Sequence, residues 1–110
     1  MNEYSFKQYQ REARRTQNPD LTPRDMQEHA LWGLASEVGE VCSLHQKVHQ
    51  GHPLDPVALR KEIGDICWMI SELCDVYGFE LGAIAQENIA KLRKRYPHGF
   101  STEKSINRVE

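Results

Sequence analysis

Residues 22–77 read TPRDMQEHALWGLASEVGEVCSLHQKVHQGHPLDPVALRKEIGDICWMISELCDVY and contain two helix starts of the same design. The first is Thr22-Pro23, with Asp25 in the opening turn. A threonine side chain can accept from an orphan N–H there, proline fits the first helical position, and an acid suits the positive end of the helix dipole. Apolar residues then recur at helical spacing to about His49, where Gly51 and Pro53 end the run. Asp55-Pro56 opens the second helix, which reaches Tyr77 and stops at Gly78. Two long helices joined by a short loop fold back as an antiparallel hairpin.

Outward from the hairpin, Ser5 and Gln8 have capping-box spacing, so a shorter helix is expected from about Ser5 to Thr16, ended by Asn18-Pro19. Another is expected from about Glu80 to Arg95, before Pro97 and Gly99. The tail 101–110 is polar and is expected to pack on a partner or to stay loose. No strand-like alternation or internal repeat appears. The expected architecture is all-α: a single four-helix, bundle-like domain over residues 1–110, with the two long helices at its centre.

Of the 110 residues, 39% are hydrophobic and 27% charged, which excludes an intrinsically disordered chain. No apolar run is long enough to span a membrane, and the first ten residues are too polar for a secretory signal. A soluble, cytoplasmic protein is expected. The net charge of −2 argues against a dedicated nucleic-acid binder. Cys42, Cys67 and Cys74 lack paired metal-site spacing and are expected to be buried free thiols.

Four acids stand where apolar residues belong. With Leu34 as zero, Ala30, Val38, Val41, Leu44 and Val48 gather within about 80°, Glu37 falls inside that stripe at about −60° and Glu40 on its border at about −120°. In the second long helix, with Ile66 as zero, Leu59, Ile63, Ile70, Leu73 and Tyr77 lie within about 60°, while Glu62 and Asp65 fall at about −40° and −100°. Each helix thus carries two acids three residues apart, and residues so spaced stack on one face. When the hairpin closes the pairs converge. Carboxylates gathered this closely call for a counter-charge, and their hard oxygens suit Mg²⁺ or Mn²⁺. Neither pair has the Glu-x-x-His form of di-iron bundles, so redox iron is disfavoured. Gly39 and Gly64 sit inside the two acid motifs, as close helix approach or ligand access would require.

Beside the apolar sector of the last helix, Asn88, Lys91 and Arg95 line up within about 40° of Ile84, a stripe suited to phosphate oxygens. Lys47 and His52 are weaker candidates for the same role. His45, His49 and His52 have a conceivable zinc spacing, but packed or solvated rings are the expectation. Trp32 and Trp68 are expected to serve packing or an interface before base stacking.

These residues carry a family resemblance. The chain resembles the MazG-like nucleoside triphosphate pyrophosphohydrolases of the all-α NTP pyrophosphatase superfamily, whose pattern is E-E-x-x-E followed, after a gap, by E-x-x-D. Here it reads Ser36-Glu37-Val38-Gly39-Glu40 and Glu62-Ile63-Gly64-Asp65. The resemblance extends to Ala13–Thr16, to Asn88 through Pro97, and to Gly99-Phe100. Ser36 replaces the first glutamate, as in relatives resembling the dCTP pyrophosphatase branch. The resemblance implies a MazG fold. Completion by oligomerisation, as a homodimer or dimer of dimers, is expected because a single short hairpin leaves one side of the site open. The resemblance also implies Mg²⁺-dependent hydrolysis of a nucleoside triphosphate to monophosphate and pyrophosphate, by water attack on the α-phosphorus. Glu37, Glu40, Glu62 and Asp65 would hold the metal, with Glu37 activating the water, and Asn88, Lys91 and Arg95 would meet the phosphates. Two alternatives stay open: a phosphoribosyl-ATP pyrophosphohydrolase-like activity, or a metal-binding interaction module without turnover. Ser36 favours the second; intact Lys91 and Arg95 oppose it.

Overall fold

The computed structural model describes residues 3–108 and contains five helices: α1 (Phe6–Arg14), α2 (Pro23–His49), α3 (Pro56–Tyr77), α4 (Leu81–Arg95) and α5 (Thr102–Ile106). Their ends follow from local chemistry. Ser5 and Gln8 form the reciprocal capping box of α1. Thr22 accepts from the Asp25 N–H, and Asp55 accepts from the N–H groups of Val57 and Ala58. Helix α3 closes at Gly78, whose φ of 71° favours glycine. There the Phe79 N–H reaches Cys74 O at 2.8 Å and the Gly78 N–H reaches Asp75 O at 3.1 Å, the paired bonds of a Schellman closure.

Two boundaries differ from the sequence expectation. The first helix ends at Arg14 rather than Thr16, because the Thr16 hydroxyl turns back to donate to Ala13 O at 2.8 Å. The tail holds α5, started by Ser101 accepting from the Lys104 N–H.

Helices α2 and α3 pack along their length as the predicted antiparallel hairpin, α1 crosses α3, and α4 packs chiefly on α1. Gly33 permits the close approach within the hairpin, since a Cβ there would collide with the Met69 sulfur. Asp75 on α3 anchors α1. Its carboxylate accepts from Arg14 at 2.8 Å, Gln10 at 2.8 Å and Gln17 at 2.6 Å. Gln10 also donates to Phe79 O at 2.8 Å and accepts from the Leu81 N–H at 2.9 Å, tying α1 to the start of α4.

A single chain covers little of its apolar surface. Among the described residues the buried apolar side chains are Ala13, Ala30 and Cys74. Val38, Val48, Ile63 and Tyr77, all within the predicted core stripes, are exposed, and Trp32 is 70% exposed. Cys42 and Cys67 are likewise exposed rather than buried; Cys67 lines an open cleft beside Tyr4, Phe6 and Tyr9 that no other described element closes. The radius of gyration is 17.3 Å, against about 13 Å for a compact chain of this length. No helix among the described residues is long and apolar enough to cross a membrane.

Candidate metal centre

The antiparallel register brings the middle of α2 against the first half of α3, and with it three of the four predicted acids. Glu37, Glu62 and Asp65 each offer a carboxylate oxygen, all within 4.8 Å of one another. Glu37 and Glu62 are half-buried; Asp65 is exposed. Glu40 lies one turn beyond Glu37 on the exposed side of α2 and outside that triad, although its charge still acts on Glu37.

The Glu37 carboxyl is pushed above the usual carboxylate range. A hydrogen bond shared with the Glu62 carboxyl is the largest cause, followed by loss of water and the negative charges of Asp65, Glu62 and Glu40. Like charges at this distance do not ionise together without cost, a cost that a cation among them would relieve. The donor set fits a hard divalent ion: several carboxylate oxygens, half open to solvent, with room for waters and a ligand. Tyr9 of α1 overlooks the same place, its hydroxyl pushed upward by burial and by the nearby Cys67 and Asp65.

Close helix approach does not account for Gly39 and Gly64, because a Cβ added at either meets nothing within 4 Å. The space beside both acid motifs is open. The close-approach glycine is Gly33, outside the motifs, and its partner Met69 is distant in sequence.

The other predicted residues are not gathered at the triad. Asn88 and Lys91 lie exposed on α4, and neither side chain has a hydrogen bond or ion pair among the described residues. Arg95 is half-buried, its guanidinium 6.0 Å from the Tyr96 ring centroid. Since α4 packs chiefly on α1, it does not carry this stripe across its own hairpin. Lys47 stands ten residues past Glu37, about 15 Å along the helix axis, and His52 is exposed in the loop. His45, His49 and His52 form no group with metal-ligand spacing among the described residues.

The chain matches the model of the MazG nucleotide pyrophosphohydrolase domain over residues 26–100. It belongs to that family. No curated protein and no solved structure matches it. The matched span holds α2 from Met26 onward, α3 and α4, and so contains both acid motifs and the Asn88–Arg95 stripe. Helix α1 precedes it, yet α1 is bound to the MazG hairpin through Asp75, and the turn after it through Thr16, which accepts from the Trp68 indole N–H at 2.7 Å.

Sequence reasoning also missed a polar pair inside the hairpin. Glu72 is fully buried, and its Oε1 lies 2.5 Å from His29 Nδ1. The available signal was register: the antiparallel pairing that joins Glu37 to Glu62 also sets His29 opposite Glu72.

Proposed function

We propose that this MazG-family chain hydrolyses a ribo- or deoxyribonucleoside triphosphate to the nucleoside monophosphate and pyrophosphate, by attack of water on the α-phosphorus. The observation that carries this reading is the Glu37–Glu62–Asp65 triad, drawn within 4.8 Å from two helices, with the Glu37 carboxyl raised by its acidic neighbours. Glu37, Glu40, Glu62 and Asp65 would hold Mg²⁺, with Mn²⁺ as its substitute in the assay. When bound, the cation supplies charge neutralisation at the phosphates and makes a water more acidic. With a cation bound in place of the proton that Glu37 and Glu62 share, Glu37 would take a proton from such a water, and Glu62 would orient the Glu37 carboxyl. Reactions of this kind need positioning and charge stabilisation more than covalent help.

Asn88, Lys91 and Arg95 bind the phosphates, with lesser parts for Lys47 and His52. The packing of α4 on α1 supports delivery of this stripe to the triad of a second copy, in a homodimer or dimer of dimers. So does the exposed surface. The chain presents 8,623 Å², where a compact monomer of this mass presents about 6,200 Å². The excess is of the order that obligate homodimers cover. An apolar cleft of about 400 Å³, lined by Tyr4, Phe6, Tyr9, Cys67, Ile70 and Leu81, belongs to that open surface.

The test is pyrophosphate release from a panel of NTPs and dNTPs, with and without Mg²⁺. Expected is Mg²⁺-dependent monophosphate plus pyrophosphate, abolished in Glu62→Gln while helical circular dichroism is retained. If no nucleotide yields these products, the activity is wrong, and Mg²⁺ binding without turnover would leave the chain a metal-binding interaction module.

A further inference from the structure

Two turns along the hairpin from the acid triad lies a buried carboxylate that the proposed hydrolysis does not use. Glu72 is the largest fully buried side chain among the described residues. Its Oε1 meets His29 Nδ1 at 2.5 Å, and its Oε2 has no hydrogen-bond partner. A carboxylate is costly to bury, and this pairing offsets the cost only in part. The imidazole is the accessible half of the pair, with 49% of its side chain exposed against 1% for Glu72.

The chemistry of the pair orients the ring. An ionised carboxylate only accepts, so Nδ1 carries the proton that faces Glu72, and in the neutral imidazole Nε2 then presents a lone pair. No hydrogen bond to Nε2 exists among the described residues. Trp68 meets the imidazole edge-on, centroids 6.2 Å apart and planes at 86°. Trp68 is itself held by Thr16, which accepts its indole N–H at 2.7 Å. His29 is therefore fixed from two sides, with one nitrogen left to read something else.

Its position suggests what that is. Asp65, Trp68 and Glu72 follow one another at i, i+3 and i+7 on one face of α3. The seven residues from Asp65 to Glu72 span about 10 Å along the axis. A nucleotide whose phosphates lie at the triad extends its sugar and base over a comparable distance. In the other direction α3 offers Ala58, Leu59, Arg60 and Lys61, with no aromatic ring. A nucleobase wants an apolar wall and a few oriented polar groups, and the Trp68–His29 end supplies both.

We propose that His29 is the nucleobase-reading residue of this chain: its Nε2 accepts a hydrogen bond from an exocyclic amine, so that cytosine or adenine is preferred over a base with a keto oxygen there. Glu72 is the positioning residue that holds the ring for this, and Trp68 walls the base. The inference rests on the pyrophosphohydrolase reading.

CTP and UTP differ at the base mainly in this amine and keto oxygen, so their kcat/KM ratio, in ribo and deoxy forms, is the measurement. The wild-type protein should favour the cytosine nucleotide by about threefold to tenfold, the discrimination expected of one hydrogen bond. His29→Ala, which also strips the buried Glu72 of its partner and so is compared at retained helical circular dichroism, should bring the ratio to about one through KM with kcat held. His29→Gln, which keeps an amide oxygen within reach, should retain part of the preference. Glu72→Gln should lower the ratio while phosphate-dependent kcat persists. If wild type turns over both nucleotides and His29→Ala leaves their ratio unchanged, or weakens both equally, the inference is overturned and the hydrolase reading stands. Failure of wild type to release pyrophosphate from any nucleotide overturns both.

Discussion

Replacing Asp75 by alanine removes the joint that holds α1 on α3, and the structure sets the size of the effect. The Asp75 side chain is 8% exposed and accepts from three residues of the N-terminal segment. Arg14 is 55% exposed, so its ion pair is solvent-screened and contributes at most about 1 kcal/mol. Gln10 is buried and Gln17 half-buried; amide bonds to a charged acceptor contribute about 1.5–3 kcal/mol each. Gln10 keeps Phe79 O as a partner, which softens its loss. The expected cost of Asp75→Ala is about 3–5 kcal/mol, a large part of the roughly 5–15 kcal/mol that a domain possesses. Urea unfolding at fixed protein concentration measures it, since any assembly couples stability to concentration.

The pH dependence provides a second reading of the same substitution. Burial acts to raise the Asp75 carboxyl, but the hydrogen bonds from Arg14, Gln17 and Gln10 and the Arg14 charge outweigh it and hold the group below its ordinary value. A group lowered in the folded state stabilises above its unfolded pKa, about 3.9 for aspartate, and that stabilisation is lost as pH falls through the lower folded value. The gap between wild type and Asp75→Ala should therefore be full at neutral pH and close as the solution is acidified below about pH 4. Arg14→Ala alone should cost about 1 kcal/mol and add almost nothing on top of Asp75→Ala. A neutral-pH loss under about 1 kcal/mol, or a gap independent of pH, would show that Asp75 does not anchor α1 in this way.

Two further outcomes follow from the packing. Mixing Glu62→Gln with Lys91→Ala, each inactive or weak alone, should restore pyrophosphate release, because a mixed dimer holds one site with both parts intact; no recovery after co-refolding would place the α4 stripe in its own chain's site. Gly64→Ala should raise stability by about 0.5–1 kcal/mol, as alanine replaces glycine in a helix with open space beside it, yet lower activity by obstructing the ligand; full activity would remove ligand access as the reason for that glycine.

Local chemistry made much of the fold legible. Caps at Ser5, Thr22 and Asp55 and the left-handed stop at Gly78 act within one turn of chain, so helix boundaries could be read before any contact was known. The acid offsets at Glu37, Glu62 and Asp65 were legible for the same reason, since helical geometry converts spacing into a face. Gly33 was not, because its constraint is the Met69 side chain across the hairpin. The exposure of Cys42 and Cys67 was not either: an apolar helical position records that something must cover it, not whether the cover comes from the same chain.

The sequence by itself therefore determined the all-α class, the hairpin, the family and the acids that face one another, all of them consequences of short-range spacing. Only the tertiary structure decided that three of the four acids close into one cluster, that α4 carries Asn88, Lys91 and Arg95 away over α1, and that Glu72 is buried against His29. Each of these depends on the register and crossing of helices. Register is set by the sum of many side-chain contacts between segments far apart in the chain, and no single spacing encodes it.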